Sequence, residues 1–282
     1  LIPVFNRTLL LGLAAGAMIA MAAPAMAVEA SGGNPPTPPQ LYDLQTLPKE
    51  NNLVDGEMPL PLDIRRDALK EAALSYGARG GLAWRTFEIR SELLGREEYL
   101  DKVYNFRELL IPAPSGMVIE PPIVSEADNA LIIDGRGTEA AVADRIFHIS
   151  ANARIVSTAR LWNNYLERDW GEVTPPPDIL RPMNDEERAI WIEQVNKGWA
   201  QGVQQADEIF EADLNQLVAD YSGMVRYRTL LAQGMISPPY ALQVDRGVTG
   251  GGREMRVGDR AVQITGMPEF VPGSEQWQPA SR

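Results

Sequence analysis

Apolar residues recur at steps of three and four along several stretches of this chain and alternate over short runs in others. Ile64, Ala68 and Ala72 share one helical face, and Asp63 in front of them suits an N-cap. A helix is therefore predicted from Ile64 to Tyr76. Gly77, Gly80 and Gly81 should bend or break it. Helical spacing resumes over Leu82 to Leu94 and continues over Glu98 to Leu110. Beyond Pro112 the texture changes. Met117 to Ile119, Ile123-Val124, Leu131 to Ile133, Arg145 to Ile149 and Arg154 to Ser157 are short and partly β-branched, with Gly, Pro or Asn between them. They read as an antiparallel sheet of three to five strands, with Ser150 to Ala153 as the hairpin loop joining the last two.

Trp162 to Leu166 reads as a short helix or turn, and Pro175-Pro176-Pro177 enforces an extended connector. Asn184 and Glu187 have the spacing of a capping box. From Asp185 to Gln233 the helical pattern barely breaks: Trp191, Val195, Trp199, Val203, Ala206, Phe210, Leu214, Leu217 and Tyr221 follow one another at helical steps. Unbroken, that helix would run about 70 Å. A division into two helices near Tyr221-Ser222-Gly223 is expected instead. Glu254 to Val257 and Ala261 to Thr265, around Gly258-Asp259, read as a hairpin with glycine at the first turn position. The fold class is α+β: helices plus a small antiparallel sheet, a long Trp-rich helical section and a C-terminal β-hairpin.

The ends carry a different signal. Asn6-Arg7 precedes an apolar run from Leu9 to Met21 that closes on Ala25-Met26-Ala27. This is the pattern of a cleavable signal peptide over residues 1–27, too short and too rich in Ala and Gly for a permanent span. Export would leave a chain starting at Val28, outside the cytoplasm. Residues 28–62 read as a proline-rich extended arm, residues 63–272 as a single α+β domain, and residues 273–282 as a loose tail.

Composition narrows the chemistry. The formal net charge is -12, and losing Arg7 with the leader makes the exported form one unit more negative. Such a chain is repelled by phosphate backbones, so direct nucleic acid binding is not expected. The chain has no cysteine and one histidine, His148, at a strand position where a half-buried structural role is expected. A zinc site takes several Cys or His ligands, and a Ser-His-Asp site needs a nucleophile motif that is missing. Gly247-Val248-Thr249-Gly250-Gly251-Gly252-Arg253-Glu254 resembles a phosphate loop in glycine content only; it lacks the Lys-Ser/Thr pair and precedes a hairpin rather than a helix. No catalytic, cofactor-binding or metal-ligating residue is nominated, and no cofactor is expected.

Three other readings stay in view. Glu88, Glu92 and Glu193 could serve as the two carboxylates of a peptidoglycan-cleaving glycosidase. A soluble periplasmic ligand-binding module is another possibility. Gly198 and Gly202 lie four apart on the Trp-rich helix, so another element approaches its backbone closely there, either within the molecule or across a subunit interface.

Several segments together resemble the DotC family of type IVB secretion and related conjugation systems. They are Gly80 to Ile89, Tyr99 to Phe106, Pro121-Pro122, Trp162 to Leu166, Trp191 to Phe210, Gly223-Met224 through Gly234-Met235, Gly247 to Gly250 and Ile264-Thr265. The resemblance implies a non-catalytic part of an outer-membrane core complex. It would work with DotD-like and DotH-like proteins and with copies of itself in a ring, helping to place the DotH-like protein. Family members typically carry a lipobox cysteine at the cleavage site, where this chain reads Ala25-Met26-Ala27-Val28. Periplasmic placement against the outer membrane is then expected to run through partner proteins.

Overall fold

The computed structural model describes residues 37–48, 62–133 and 140–278. The signal peptide, most of the proline-rich arm and the last four residues lie outside the described residues. The fold is α+β, organised on two long helices. α2 (Leu62–Leu94) and α5 (Asp185–Ala232) run side by side in the same direction. Arg65 meets Glu187 near one end, and Arg85 meets Asp207 twenty residues further along both helices. Shorter helices are α1 (Leu41–Gln45), α3 (Glu97–Val103) and α4 (Asn163–Leu166).

Several expected boundaries move, each for a packing reason. α2 begins at Leu62, which puts Asp63 in its first turn, and it passes through Gly77, Gly80 and Gly81 without a break. A glycine costs a solvated helix about 1 kcal/mol relative to alanine, but here the bare Cα atoms face α5 or Leu44 and packing offsets the cost. α5 likewise runs through Gly223, which sits against the Ile123 side chain and the Val124 backbone. The expected helix from Glu98 to Leu110 stops at Val103 and gives way to a 3-10 turn over Phe106–Leu109, whose Phe106 is buried. At the start of α5 the Asn184 side chain accepts from the Glu187 amide at 2.8 Å. The Glu187 carboxylate reaches Met183 N instead of closing the box on Asn184, because it also holds Arg65.

The expected sheet is two pieces. β1 (Ile111–Pro112), β2 (Val118–Glu120) and β5 (Arg154–Val156) form one in the order β1-β2-β5, all antiparallel. β3 (Ile123–Ile133) pairs with β4 (Ala140–Ala151) in a separate ribbon. Pro121 and Pro122 have no N–H to donate, so the ladder lapses across them. It resumes in step: Glu120 faces Arg154, and Ile123 faces Ala151. Ser150 and Ala151 therefore end β4, Asn152-Ala153 is the other side of this gap, and the four residues are not a hairpin loop. His148 lies on β4, exposed rather than half-buried.

The C-terminal hairpin is longer than expected, pairing β6 (Tyr240–Gly251) with β7 (Glu254–Gly266). Its turn is Gly252-Arg253, with φ of 65° at Gly252. Gly258 has φ of 72° but sits inside β7, where the register shifts opposite Gly247, φ 69°. Both glycines supply a positive φ that other residues resist; the longer register uses one for the turn and the other for a bulge. After β7 the chain returns to the end of α5. Val271 N donates to Met235 O at 2.9 Å and Gln278 N to Gln233 O at 2.8 Å, so the expected loose tail is tied down as far as Gln278.

The expected arm is also partly body. Leu44 of α1 is fully buried between α2 and α5, and Trp191 Nε1 donates to its carbonyl at 3.0 Å. Among the described residues, three apolar cores line up along α5: around Leu69 and Trp191, around Phe106, Trp162 and Leu217, and around Val124 and Tyr227.

Candidate functional site

The first built feature is the seam between α2 and α5. A Cβ placed on Gly77 would lie 2.3 Å from Val195 O, and one on Gly81 2.3 Å from Trp199 O. From the other side, a Cβ on Gly198 would lie 2.1 Å from Leu74 O, and one on Gly202 2.0 Å from Ala78 O. The four glycines interlock backbone against backbone. Gly77 and Gly81 lie four apart on one helix, and Gly198 and Gly202 four apart on the other, so each pair presents one small face. The close approach expected at Gly198 and Gly202 is real, and it is made within the molecule.

The second is a buried polar cluster where β2, β5, α4 and α5 meet. Glu120 and Asp220 are 4% and 5% exposed. Arg160 bridges them, with Nη2 at 2.5 Å from Glu120 Oε1 and Nη1 at 2.7 Å from Asp220 Oδ2. The same Nη1 donates to Tyr165 Oη at 2.6 Å, and Tyr165 Oη donates to Asp220 Oδ2 at 2.8 Å. Gln216 Nε2 donates to Asp220 Oδ1, and Arg154 Nη2 to Glu120 Oε2. Desolvation pushes the Tyr165 hydroxyl up to about 12; the Arg160 hydrogen bond pulls it down and Asp220 pushes it back up. Burial opposes the Arg160 charge, but its hydrogen bonds and the Glu120 carboxylate outweigh that and hold its pKa above the ordinary arginine value. The tyrosine stays neutral and the arginine charged at any working pH, so the cluster is a permanent crosslink between sheet and helix.

This cluster escaped the sequence reading, although a signal existed. Asp220 falls on the buried stripe of α5 between Leu217 and Met224, at helical steps from both. A carboxylate in that phase needs a buried cation.

The residues weighed for catalysis are not brought together. Glu88 and Glu92 share one partner, Arg85, which also reaches Asp207 of α5. Glu193 is exposed on α5, near the Arg65–Glu187 end, roughly 25 Å along the helix axes from Glu88 at 1.5 Å per residue. Glycosidase carboxylates stand about 5–10 Å apart. The Gly247–Glu254 stretch forms the end of a hairpin and not a loop leading into a helix. Among the described residues no cluster of His, Asp or Glu is placed to hold a metal ion, and no helix is long and apolar enough to cross a membrane.

No curated protein matches the chain. Its residues 63–279, most of its length, match the TraI family described as type IV secretory system, conjugal DNA-protein transfer. The matched span takes in the glycine seam, the buried cluster, both β-ribbons and the returning C-terminal segment. The chain belongs to this family of type IV secretory system proteins of conjugal DNA-protein transfer.

Proposed function

We propose that this chain is a non-catalytic structural subunit of DotC type. It would sit in the outer-membrane core complex of a type IVB-like secretion or conjugation apparatus, in the periplasm. There it helps to place and hold a DotH-like partner beside a DotD-like one, and reaches the membrane through them. One observation carries the reading: the segments that resemble the DotC family supply the frame of the molecule. Gly81, Gly198 and Gly202 close the helix seam. Tyr165 ties α4 to α5 by its bond to Asp220, Pro121 and Pro122 are buried at the ribbon joint, and Gly223 seats α5 on β3. A chain whose distinguishing residues serve shape works through surface contact.

The test is an in-frame deletion, complemented by the wild-type gene, with conjugal transfer counted and the DotH-like protein followed by membrane fractionation. Transfer is lost and the partner leaves the outer-membrane fraction. Undiminished transfer refutes the reading, and so does release of soluble fragments when the pure protein is incubated with peptidoglycan.

A further inference from the structure

The C-terminal ribbon leaves two strand edges open. β6 and β7 form a two-stranded sheet, and among the described residues neither pairs with a third strand. Near the base Ala241, Gln243, Val262 and Ile264 make one half-buried face. Further out the ribbon is bare. Every residue from Val244 to Arg260 is exposed except Thr249 and Asp259, which bond each other at 2.7 Å. Val248, Met255 and Val257 are 62%, 72% and 74% exposed. An isolated two-stranded ribbon is marginal in water. A long open edge is a template for another strand unless proline, lysine or a bulge guards it. β6 and β7 contain neither proline nor lysine. Their bulges stand at one level, beside Gly247 and Gly258, and pairing resumes beyond them with Val248 against Val257.

We infer that β6 of one copy pairs, antiparallel and edge to edge, with β7 of the next copy, over Val244–Gly251 and Glu254–Ala261. The ribbon itself shows which strand suits each edge. Within it β7 is the neighbour of β6, setting Asp245 against Arg260 and Val248 against Val257. The outer edge of β6 takes the β7 of a second copy in that same register. Asp245 then lies between two Arg260 side chains and Val248 between two Val257, and such cross-strand pairs stabilise antiparallel sheet. The bulges of adjoining ribbons fall side by side, as they do within one. Charge allows the approach. The chain carries -12, whereas the ribbon sets Asp245, Glu254 and Asp259 against Arg246, Arg253, Arg256 and Arg260. It adds no acidic repulsion between copies of an acidic chain.

The two edges differ, so the contact is head-to-tail and repeats from copy to copy, closing a ring or extending a file. It rests on the subunit reading for its biological setting. The paired stretches are short against the 20–30 residues a side of a standard interface, so free subunits associate weakly, at roughly tens of micromolar or above.

The chain has no cysteine, so introduced ones report cleanly. Two mature proteins, one with Val248→Cys and one with Val257→Cys, are mixed at about 100 μM, a concentration set by that weak association, and oxidised with copper phenanthroline. A size tag on one of them marks mixed dimers. Disulfide-linked mixed dimers are expected, with few dimers from either protein alone, because like cysteines stand two strands apart, about 10 Å, beyond disulfide reach. Val248→Cys mixed with Gln263→Cys tests the register. That exposed position lies roughly 20 Å further down β7 at ~3.3 Å per residue, and its mixed-dimer yield should be at least tenfold lower. Far-UV circular dichroism checks the fold of each variant. No mixed dimer, equal yields from Val257→Cys and Gln263→Cys, or a higher yield from one protein alone overturns the inference. A strain that needs the gene for transfer while the pure protein gives no selective disulfide refutes this contact and leaves the subunit reading standing. The selective disulfide alongside normal transfer in the deletion strain does the reverse.

Discussion

Replacing Gly198 with alanine sets two effects of opposite sign against each other. Helix propensity alone makes Gly198→Ala stabilising by about 1 kcal/mol in the interior of α5. The seam opposes this. The new methyl would lie 2.1 Å from Leu74 O and 2.9 Å from Ala78 N. An ordinary carbon–oxygen contact needs about 3.4 Å. Both obstacles are backbone, so no side chain can swing aside and α2 must back away by about 1 Å. A seam of this length holds roughly 35 heavy-atom contacts at ~0.15 kcal/mol each, and a 1 Å gap forfeits a quarter to a half of that, about 2 kcal/mol. Residual strain adds roughly 1 kcal/mol, as for other overpacked sites. The net is a destabilisation of about 2 kcal/mol, or a fall in Tm of roughly 4–8 °C for a domain of this size. Urea denaturation followed by far-UV circular dichroism measures it. Gly95→Ala, where the added carbon would meet Glu92 O at an ordinary 3.5 Å, is the control and should be neutral or slightly stabilising. If Gly198→Ala is as stable as the parent or more so, the close backbone contact does not exist.

Two further outcomes follow from the buried groups. Arg160→Met strands Glu120 and Asp220 without their shared cation. It should cost about 3 kcal/mol by urea denaturation, the usual penalty for breaking a buried ion network from one side; a loss under 1 kcal/mol would mean the carboxylates find water or other partners. Tyr165 and Tyr227 are both raised to about 12 from the ordinary 10, chiefly by burial, and Tyr76 is shifted the same way. The folded state holds these protons more tightly than the unfolded state, so their contribution is complete below pH 10 and drains away as pH rises through 12. Urea midpoints should fall steeply over that window, and less steeply in Tyr165→Phe/Tyr227→Phe; identical slopes would refute the assignment.

Much of the frame is local and was legible in the residues. The apolar spacing of α5, its Asn184 cap, the strand alternation beyond Pro112 and the glycine-centred C-terminal ribbon depend on neighbours within a few positions. The α+β class could be read from them, as could the close approach implied by Gly198 and Gly202. The glycines of α2 were misread because their local effect, helix breaking, is opposite to their effect once a second helix lies against them. The same holds for Gly223, whose missing side chain makes room for Ile123.

The residues alone settled which segments could be helix or strand, because backbone sterics and side-chain periodicity act over one or two turns. They could not settle what each segment would lean on. Glu120, Arg160, Tyr165 and Asp220 stand up to 100 positions apart, and nothing local marks them as one group. Their meeting, the parallel alignment of α2 with α5 and the burial of Leu44 all follow from which faces exclude water together. That is decided only when the whole chain has collapsed.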